Sequence, residues 1–212
     1  MKESVYTTIR ERILYLDYKP GTILNEKVLA DEFELSRSPI KDVLNRLEWE
    51  QLLRVLPRTG SMVTEIEFSR IMNVYQVRFE IEDLEAGLAE ARISSLYQDK
   101  IKDLDDTCNA ILDTKDPKAL TGIDASLRDI IHDAAGNPVL ADVSDRLYSQ
   151  TFRLWFSVLA KSDWLEEVTA VKKELETLAE YFSSGRSNEF GAIRREQLVR
   201  HFERLRTKFL GN

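Results

Sequence analysis

The sequence lacks the features that are typical of exported and membrane proteins. It contains one cysteine, Cys108, so no disulfide can form within the chain. No apolar run approaches the ~18 residues that a membrane-spanning helix needs, and the N-terminus has no signal-peptide pattern. We therefore expect a soluble, cytoplasmic protein without a membrane partner. At 212 residues the chain is long enough for two small domains, each with a core of its own.

Motifs of common enzyme classes are also missing. The sequence has no glycine-rich phosphate-binding loop, no HExxH zinc motif and no cysteine close to a histidine. We do not expect an enzyme. An active site among the C-terminal helices is the competing hypothesis, which a turnover assay would expose.

A positive net charge, common in nucleic-acid-binding proteins, is missing as well, because the formal charge is −7. Residues 1–66 carry 10 basic and 11 acidic side chains, and residues 67–212 carry 20 and 26. The second part is therefore not suited to contact DNA. A DNA-binding surface in the first part must come from a local arrangement of basic side chains, and its affinity should fall steeply with salt.

One segment in the first part nevertheless predicts a DNA-binding element. A short helix with one apolar face begins near Glu26. Ser36 or Ser38 can cap a second helix that has Pro39 in its first turn, where a missing N–H costs nothing. Two short β-capable runs follow, residues 52–56 and 61–64, joined by a turn at residues 57–60. This order predicts a winged helix-turn-helix.

The segment resembles the DNA-binding domain of the GntR family of bacterial regulators. The family's residues recur in order at Pro20-Gly21, Leu29-Ala30, Ser36-Arg37, Pro39, Lys41, Leu44, Arg46-Leu47-Glu48, Gly60 and Val63. Two positions depart from the family pattern, since Lys41 replaces an arginine and Gln51 replaces a glycine. A lysine lacks the planar two-pronged group that arginine offers to guanine, so we expect an operator that depends less on guanine at that position.

The resemblance also implies which residues contact DNA. Lys27, Arg37 and Lys41 fall where the family contacts DNA from its second and third helices, and residues 58–61 fall at its wing. The apolar stripe of the second predicted helix leaves further polar groups outward or at its N-terminus. We predict DNA contacts from Lys27, Arg37, Ser38, Lys41, Arg46, Arg58, Thr59 and Gly60. The expected partner is a palindromic double-stranded operator bound by a homodimer, which doubles the contacts of a nearly neutral module.

Residues after 67 show only helical patterns. Apolar residues recur at steps of three and four at Val74, Val77, Ile81, Leu84 and Leu88, which predicts a buried helix face. Break signals, among them Gly136-Asn137-Pro138, divide the region into about six helices. We predict a mainly α protein, with a winged helix-turn-helix at residues 1–66 and an all-α bundle at residues 67–212.

This second part resembles the FCD ligand-binding domain of the FadR-like branch of the GntR family, in its shorter six-helix subgroup. The landmarks are Val77-Arg78 with Glu82, and Asp124 with Gly136-Asn137-Pro138. Most such domains hold a divalent metal with one aspartate and three histidines. The corresponding positions here are Asp124, Arg128, Leu175 and Gln197, so three ligands are absent and we expect neither a metal nor another cofactor. His132 and His201, each four residues beyond a lost position, are the alternative ligands if the alignment shifts by one helical turn.

Arg128 suggests what replaces the metal. Its guanidinium can supply positive charge, with Asp124 one turn earlier as its partner. A small carboxylate-type metabolite would then bind through Arg78, Asp124, Arg128 and Gln197. The competing hypothesis is a salt bridge between Asp124 and Arg128 that fills a disused cavity. An acyl-CoA effector stays open, because a metal-free relative with a larger bundle binds such ligands.

A stripe of aromatic residues, Tyr148, Phe152, Trp155 and Phe156, lies at helical spacing. We predict core packing for it, with the lining of an interhelical pocket as the alternative.

Taken together, the sequence predicts a dimeric, ligand-responsive transcriptional regulator, most simply a repressor. The alternative is a DNA-binding regulator whose bundle only dimerises and binds no effector.

Overall fold

The computed structural model describes residues 2–211. The helices and strands are α1 (Lys2–Leu14), β1 (Ile23–Leu24), α2 (Glu26–Glu32), α3 (Arg37–Trp49), β2 (Leu53–Leu56), β3 (Gly60–Val63), α4 (Phe68–Glu90), α5 (Ser95–Ala110), α6 (Pro117–Ala135), α7 (Pro138–Leu159), α8 (Trp164–Ser183) and α9 (Phe190–Leu210). This confirms the predicted fold class, a winged helix-turn-helix followed by an all-helical part. Within the described residues, none of the helices is both long enough and apolar enough to cross a membrane.

The chain forms two compact units. The first, here called the winged unit, contains the chain as far as Val74 together with Arg146–Phe156. The second, the helical unit, contains Tyr75–Asp145 and the described residues from Ser157 onward. Helix α4 begins at Phe68, where the sequence predicted a change to helical structure. The middle of α7, however, packs with the winged unit, although it lies far along the chain from it.

The core of the winged unit explains this assignment of α7. Apolar residues of α1 and α3, such as Ile9, Ile13 and Leu44, form its centre. Tyr148 and Phe152 of α7 are buried in the same core, and the ring of Phe152 meets Tyr15 edge to face at 5.4 Å. The prediction that the aromatic stripe packs in a core is therefore correct for these two residues, but the core belongs to the winged unit.

The winged unit contains a three-stranded antiparallel sheet in the order β1-β3-β2. The β2–β3 hairpin was predicted from sequence, whereas β1 has two residues and gives no periodic signal. Gly60 adopts a φ of +137°, and a Cβ there would lie 2.6 Å from the carbonyl oxygen of Leu24. A glycine is therefore required at this end of the wing. Gln51, for which the resemblance implies a glycine, adopts a left-handed φ of 63°.

After residue 67, the described residues form the six helices α4 to α9. Gly136, whose φ is 59°, caps the C-terminus of α6, and Asn137 caps α7 by accepting the N–H of Leu140. The predicted break at these residues therefore lies where the chain turns.

The prediction of a buried face on α4 is wrong for three of its five residues. Val74 is buried, but Val77, Leu84 and Leu88 are 50%, 54% and 41% exposed. We call these three the α4 stripe. The described chain leaves about half of each side chain exposed, although their spacing is that of a packed face.

Candidate nucleic-acid interface and bundle cluster

Helix α3 presents a polar face to solvent. Its inward stripe is buried and consists of Ile40, Val43, Leu44 and Leu47. This leaves Arg37, Ser38 and Lys41 exposed on the first turns. Ser36 occupies the N-cap position, but its side chain makes no capping hydrogen bond. The first-turn N–H groups are therefore left for an external acceptor such as a phosphate oxygen.

Several basic side chains of the winged unit are exposed and form no ion pair among the described residues. Within the described residues no carboxylate forms an ion pair with Lys27 on α2, Arg37 and Lys41 on α3, Arg54 on β2, or Arg58 in the turn of the hairpin, and all five are exposed. Arg12 of α1, by contrast, pairs with Glu32 at 2.6 Å. The acidic composition of the chain is thus compatible with a local cationic surface.

The tip of the wing is a tight turn. Arg58 adopts a left-handed φ of 65°, and the N–H of Thr59 donates to the carbonyl oxygen of Leu56 at 3.0 Å. Arg58 and Thr59 are exposed, and Gly60 begins β3. The three predicted wing residues therefore lie together at one end of the sheet.

Arg46, the fourth predicted DNA contact on α3, forms contacts within the winged unit. Its guanidinium lies over the ring of Tyr6, 3.5 Å from the ring centroid, and pairs with Glu3 at 2.9 Å. It also lies 3.6 Å from Glu50. These contacts direct Arg46 toward α1, so that in the free protein it holds α1 against α3.

In the helical unit, the predicted effector residues belong to a network of charged side chains that are buried or half-buried. Arg78 of α4 pairs with Glu82 at 3.4 Å, and Arg194 of α9 reaches the other oxygen of Glu82 at 3.5 Å. Arg194 also donates to Gln197 at 2.8 Å, and Gln197 donates to the carbonyl oxygen of Glu174 at 2.9 Å. We call this network the bundle cluster: Arg78, Glu82, Asp124, Arg128, Glu174, Arg194, Gln197, His201 and Arg204.

Electrostatic effects place Asp124 and Arg128 in the same cluster. Burial raises the pKa of Glu82, but Arg194, Arg78 and Arg128 outweigh this effect, so its pKa lies below the ordinary value. Burial raises the pKa of Glu174 to about 7, and the charge of Asp124 contributes to the increase. Burial also lowers the pKa of His201 well below its ordinary value, with further lowering by Arg204. His201 is therefore neutral at pH 7.

Arg128 forms an ion pair with a carboxylate of α7. It donates to Asp145 of α7 at 2.8 Å and to Ser144 at 3.2 Å, whereas the sequence suggested Asp124 on its own helix. His132 lies 3.3 Å from Arg128 and 3.2 Å from Glu85. The spacing along α6 could not predict the contact with Asp145, because it depends on how α6 packs against α7.

The other former ligand positions have distinct environments. Leu175 is buried like its neighbour Leu178, as an ordinary core residue. Gln197 is buried and hydrogen-bonded within the bundle cluster. Within the described part of the chain, no three His, Cys, Asp or Glu side chains are grouped so that they can hold a metal ion.

Sequence reasoning missed the residues that connect the bundle cluster. Arg194, Glu174 and Arg204 come from α8 and α9, far from α4 in the sequence. Arg78 and Glu82, at a spacing of four, gave a local signal for an ion pair. No such signal links Arg194 to Glu82, because that contact depends on how α9 packs against α4.

Glu174 predicts a specific pH dependence. Its pKa in the folded protein is about 7, against an ordinary value of 4.5, so the folded state binds the proton more tightly. Its contribution to stability is complete below about pH 4.5 and is lost as the pH rises toward 7. We expect Glu174→Gln to remove this loss. The thermal midpoint of the variant should therefore rise relative to that of wild type as the pH increases from about 5 to about 8.

Glu176→Gln is the matched control, because Glu176 is an exposed carboxylate on the same helix. Parallel curves for wild type and Glu174→Gln over this pH range would contradict the assignment.

Known proteins match both parts of the chain. The model of the bacterial regulatory proteins of the gntR family matches residues 1–63, and that of the FCD domain matches residues 73–180. The HTH-type transcriptional regulator YdhC of Bacillus subtilis is 32% identical over 83 residues, 39% of this chain and 37% of that protein. The gluconate operon transcriptional repressor of Bacillus licheniformis is 37% identical over 98 residues, 46% and 40% of the two chains.

These matches span about two fifths of the length of the two curated relatives. The matched families and relatives are transcriptional regulators, not enzymes. Among solved structures, Escherichia coli McbR/YncC superposes with a TM-score of 0.86 at 16% sequence identity, covering 98% of each chain. At this identity the similarity shows the fold alone.

Proposed function

Because the chain belongs to the GntR family of bacterial regulators, in the branch that carries an FCD domain, we propose that it is a ligand-responsive DNA-binding transcriptional regulator of the shorter six-helix subgroup. Residues 1–66 bind a palindromic operator, and residues 67–212 dimerise and bind a small effector. Repression is the simplest mode, because a dimer on its operator blocks polymerase without further contacts.

One observation carries the DNA-binding part of the proposal. The exposed first turns of α3, the side chain of Lys27 and the wing tip carry cations with no internal ion pair in the described residues. Such side chains are suited to contact phosphates and base edges, with α3 in the major groove.

The test is selection from a random double-stranded DNA library with the purified full chain, followed by fluorescence anisotropy on the selected sequence. We expect enrichment of a palindrome and a steep loss of affinity with salt. Failure to enrich any sequence over several rounds, at low and moderate salt, would contradict a sequence-specific regulator.

The α4 stripe supports dimerisation. Two copies of this exposed apolar face are self-complementary about a two-fold axis, which is the usual arrangement in homodimers. We expect Leu84→Glu to convert the dimer into a monomer, because each subunit would bring a carboxylate into the apolar contact. Light scattering after size exclusion measures the mass directly.

Leu165→Glu is the control for this substitution, since Leu165 is equally exposed but lies on α8. A Leu84→Glu protein that keeps the dimer mass would mean that another surface forms the dimer.

The bundle cluster supports an anionic effector. It brings four arginines together with three carboxylates, and one of these, Glu174, is partly protonated near pH 7. The Nε atoms of Arg194 and Arg204 are buried without a hydrogen-bond partner among the described residues. Buried donors of this kind are normally satisfied, so a carboxylate ligand would stabilise the site.

Helix α7 offers a route between effector and DNA. It contributes Asp145 to Arg128 in the helical unit and Arg153 to Thr64 in the winged unit, where Arg153 donates at 2.7 Å. A ligand that favours one position of α7 would change operator affinity. A coupling of about 1–3 kcal/mol corresponds to roughly 5- to 150-fold.

Thermal shift of chelator-stripped protein tests the effector. We expect an organic acid to raise the midpoint without added metal, and the same acid to change operator affinity. A shift with divalent metal alone would contradict the metal-free site. If neither acids nor acyl-CoA change stability or operator binding, the bundle only dimerises.

A further inference from the structure

A cavity of about 360 Å³ lies wholly within the winged unit. It is formed by the end of α3, strand β2, residues 64–67, the start of α4 and the middle of α7. We call it the linker cavity, because residues 64–67 connect the wing to α4. None of its lining residues belongs to the bundle cluster: they include Arg54, Arg70, Arg153, Glu48, Glu65 and Glu67.

The buried end of the linker cavity carries a positive charge. Arg153 is 3% exposed, and its Nη1 and Nη2 donate to the carbonyl oxygen and Oγ1 of Thr64 at 2.7 and 2.8 Å. Both acceptors are neutral. Burial lowers the pKa of Arg153 to about 10, partly offset by Glu65, so the side chain stays protonated at pH 7.

This charge has no direct counter-ion. Arg153 forms no ion pair with a carboxylate in the described part of the chain, and its Nε has no hydrogen-bond partner there. Burying a cation without a paired anion is costly, so an anion bound near Arg153 would stabilise the folded protein.

Arg70 extends the same cationic surface toward solvent. Its guanidinium donates to the side-chain oxygens of Gln51 at 3.3 Å and Gln150 at 3.1 Å, which are also neutral partners. The carboxylates of Glu65 and Glu67 are on exposed residues, and Glu48 already accepts the N–H of Val55. The inner part of the cavity is therefore cationic and its mouth is mixed in charge.

The remaining inner wall is apolar. Leu53, Ile71 and Val74 line the cavity and are buried. Inorganic phosphate would meet this apolar surface without a matching group, whereas a carboxylate with a short hydrocarbon chain would satisfy both the arginines and the apolar wall.

We propose that the linker cavity binds a short-chain organic acid, with its carboxylate held by Arg153 and Arg70 and its hydrocarbon part against Leu53, Ile71 and Val74. This second site goes beyond the effector site of the bundle, because it lies in the winged unit. Its ligand contacts Thr64 to Glu67 and so fixes the segment that follows the last strand of the wing.

Calorimetric titration of the full chain with sodium hexanoate tests the proposal. Hexanol and inorganic phosphate are the matched probes, one without the carboxylate and the other without the hydrocarbon chain. We expect hexanoate to bind and both probes to bind at least tenfold more weakly. Equal binding of phosphate, or no binding of hexanoate, overturns the proposal.

Two variants locate the site without disturbing buried Arg153. Arg70→Gln removes one cation, and Ile66→Trp fills the cavity from its lining without a change of charge. We expect each to weaken hexanoate binding at least fivefold, whereas Arg195→Gln, on an exposed residue of the helical unit, leaves it unchanged. Unchanged binding in both cavity variants would place the acid elsewhere, in the bundle cluster for example, and would overturn the linker site.

Discussion

Replacing Arg37 and Lys41 together by alanine is expected to weaken operator binding about 100-fold. Both side chains are exposed on the first turns of α3 and have no internal ion pair in the described residues. Base and phosphate contacts of this kind contribute about 1–3 kcal/mol each, and about 1.4 kcal/mol corresponds to a tenfold change in affinity.

The measurement is fluorescence anisotropy on the selected operator at several salt concentrations. Besides the loss of affinity, we expect the affinity of the variant to fall less steeply with salt concentration than that of wild type. The reason is that the variant neutralises fewer phosphates. Thermal stability should stay unchanged, since neither side chain packs in the core.

The double variant Lys102→Ala/Lys173→Ala is the matched control. It also removes two exposed positive charges, but from α5 and α8 of the helical unit. If the control weakens binding as much as the α3 variant does, the weaker binding comes from the change in net charge and not from the loss of contacts between α3 and DNA.

Replacing Glu82 by alanine is expected to destabilise the helical unit by about 3–5 kcal/mol. Glu82 is buried between Arg78 and Arg194, at 3.4 and 3.5 Å. Its removal leaves two buried guanidinium groups without their shared carboxylate, which is the costly way to break a buried ion pair. Denaturant unfolding followed by circular dichroism measures the loss.

Glu80→Ala provides the control for Glu82→Ala. Glu80 lies on the same helix and pairs with Arg195 at 2.9 Å, but its side chain is 68% exposed. We expect a change within about 1 kcal/mol, as for other surface ion pairs. If Glu82→Ala falls in the same range, the bundle cluster is not a stabilising network.

A triple variant, Arg78→Met/Glu82→Leu/Arg194→Met, separates charge from packing. It removes all three charged groups together and keeps comparable volume, so most of the lost stability should return. The same protein should bind an organic acid in the bundle more weakly, because two of the four arginines of the bundle cluster are absent.

The sequence by itself determined the two kinds of structure and their order. Local signals were sufficient for the DNA-binding part, since the serine and proline before α3, its apolar stripe and the turn at residues 57–60 all lie within about 30 residues. The break at Gly136-Asn137-Pro138 is local in the same sense, and it separates α6 from α7 as predicted.

The tertiary structure decided what local spacing cannot encode. The outward position of Arg46 on α3 was correct, but its contacts with Glu3 and Tyr6 depend on how α1 packs. In the same way, the pairing of Arg128 with Asp145 depends on the packing of α6 against α7.

The α4 stripe and the middle of α7 show the limits of periodicity most clearly. A heptad-like pattern states that a face is apolar, but not whether the same chain or a second copy covers it. An aromatic stripe likewise indicates that a helix face is buried, but it does not indicate in which core the face is buried. Tyr148 and Phe152 join the winged unit because α7 supplies the surface that α1 and its following turn leave open, and only the folded chain brings them together.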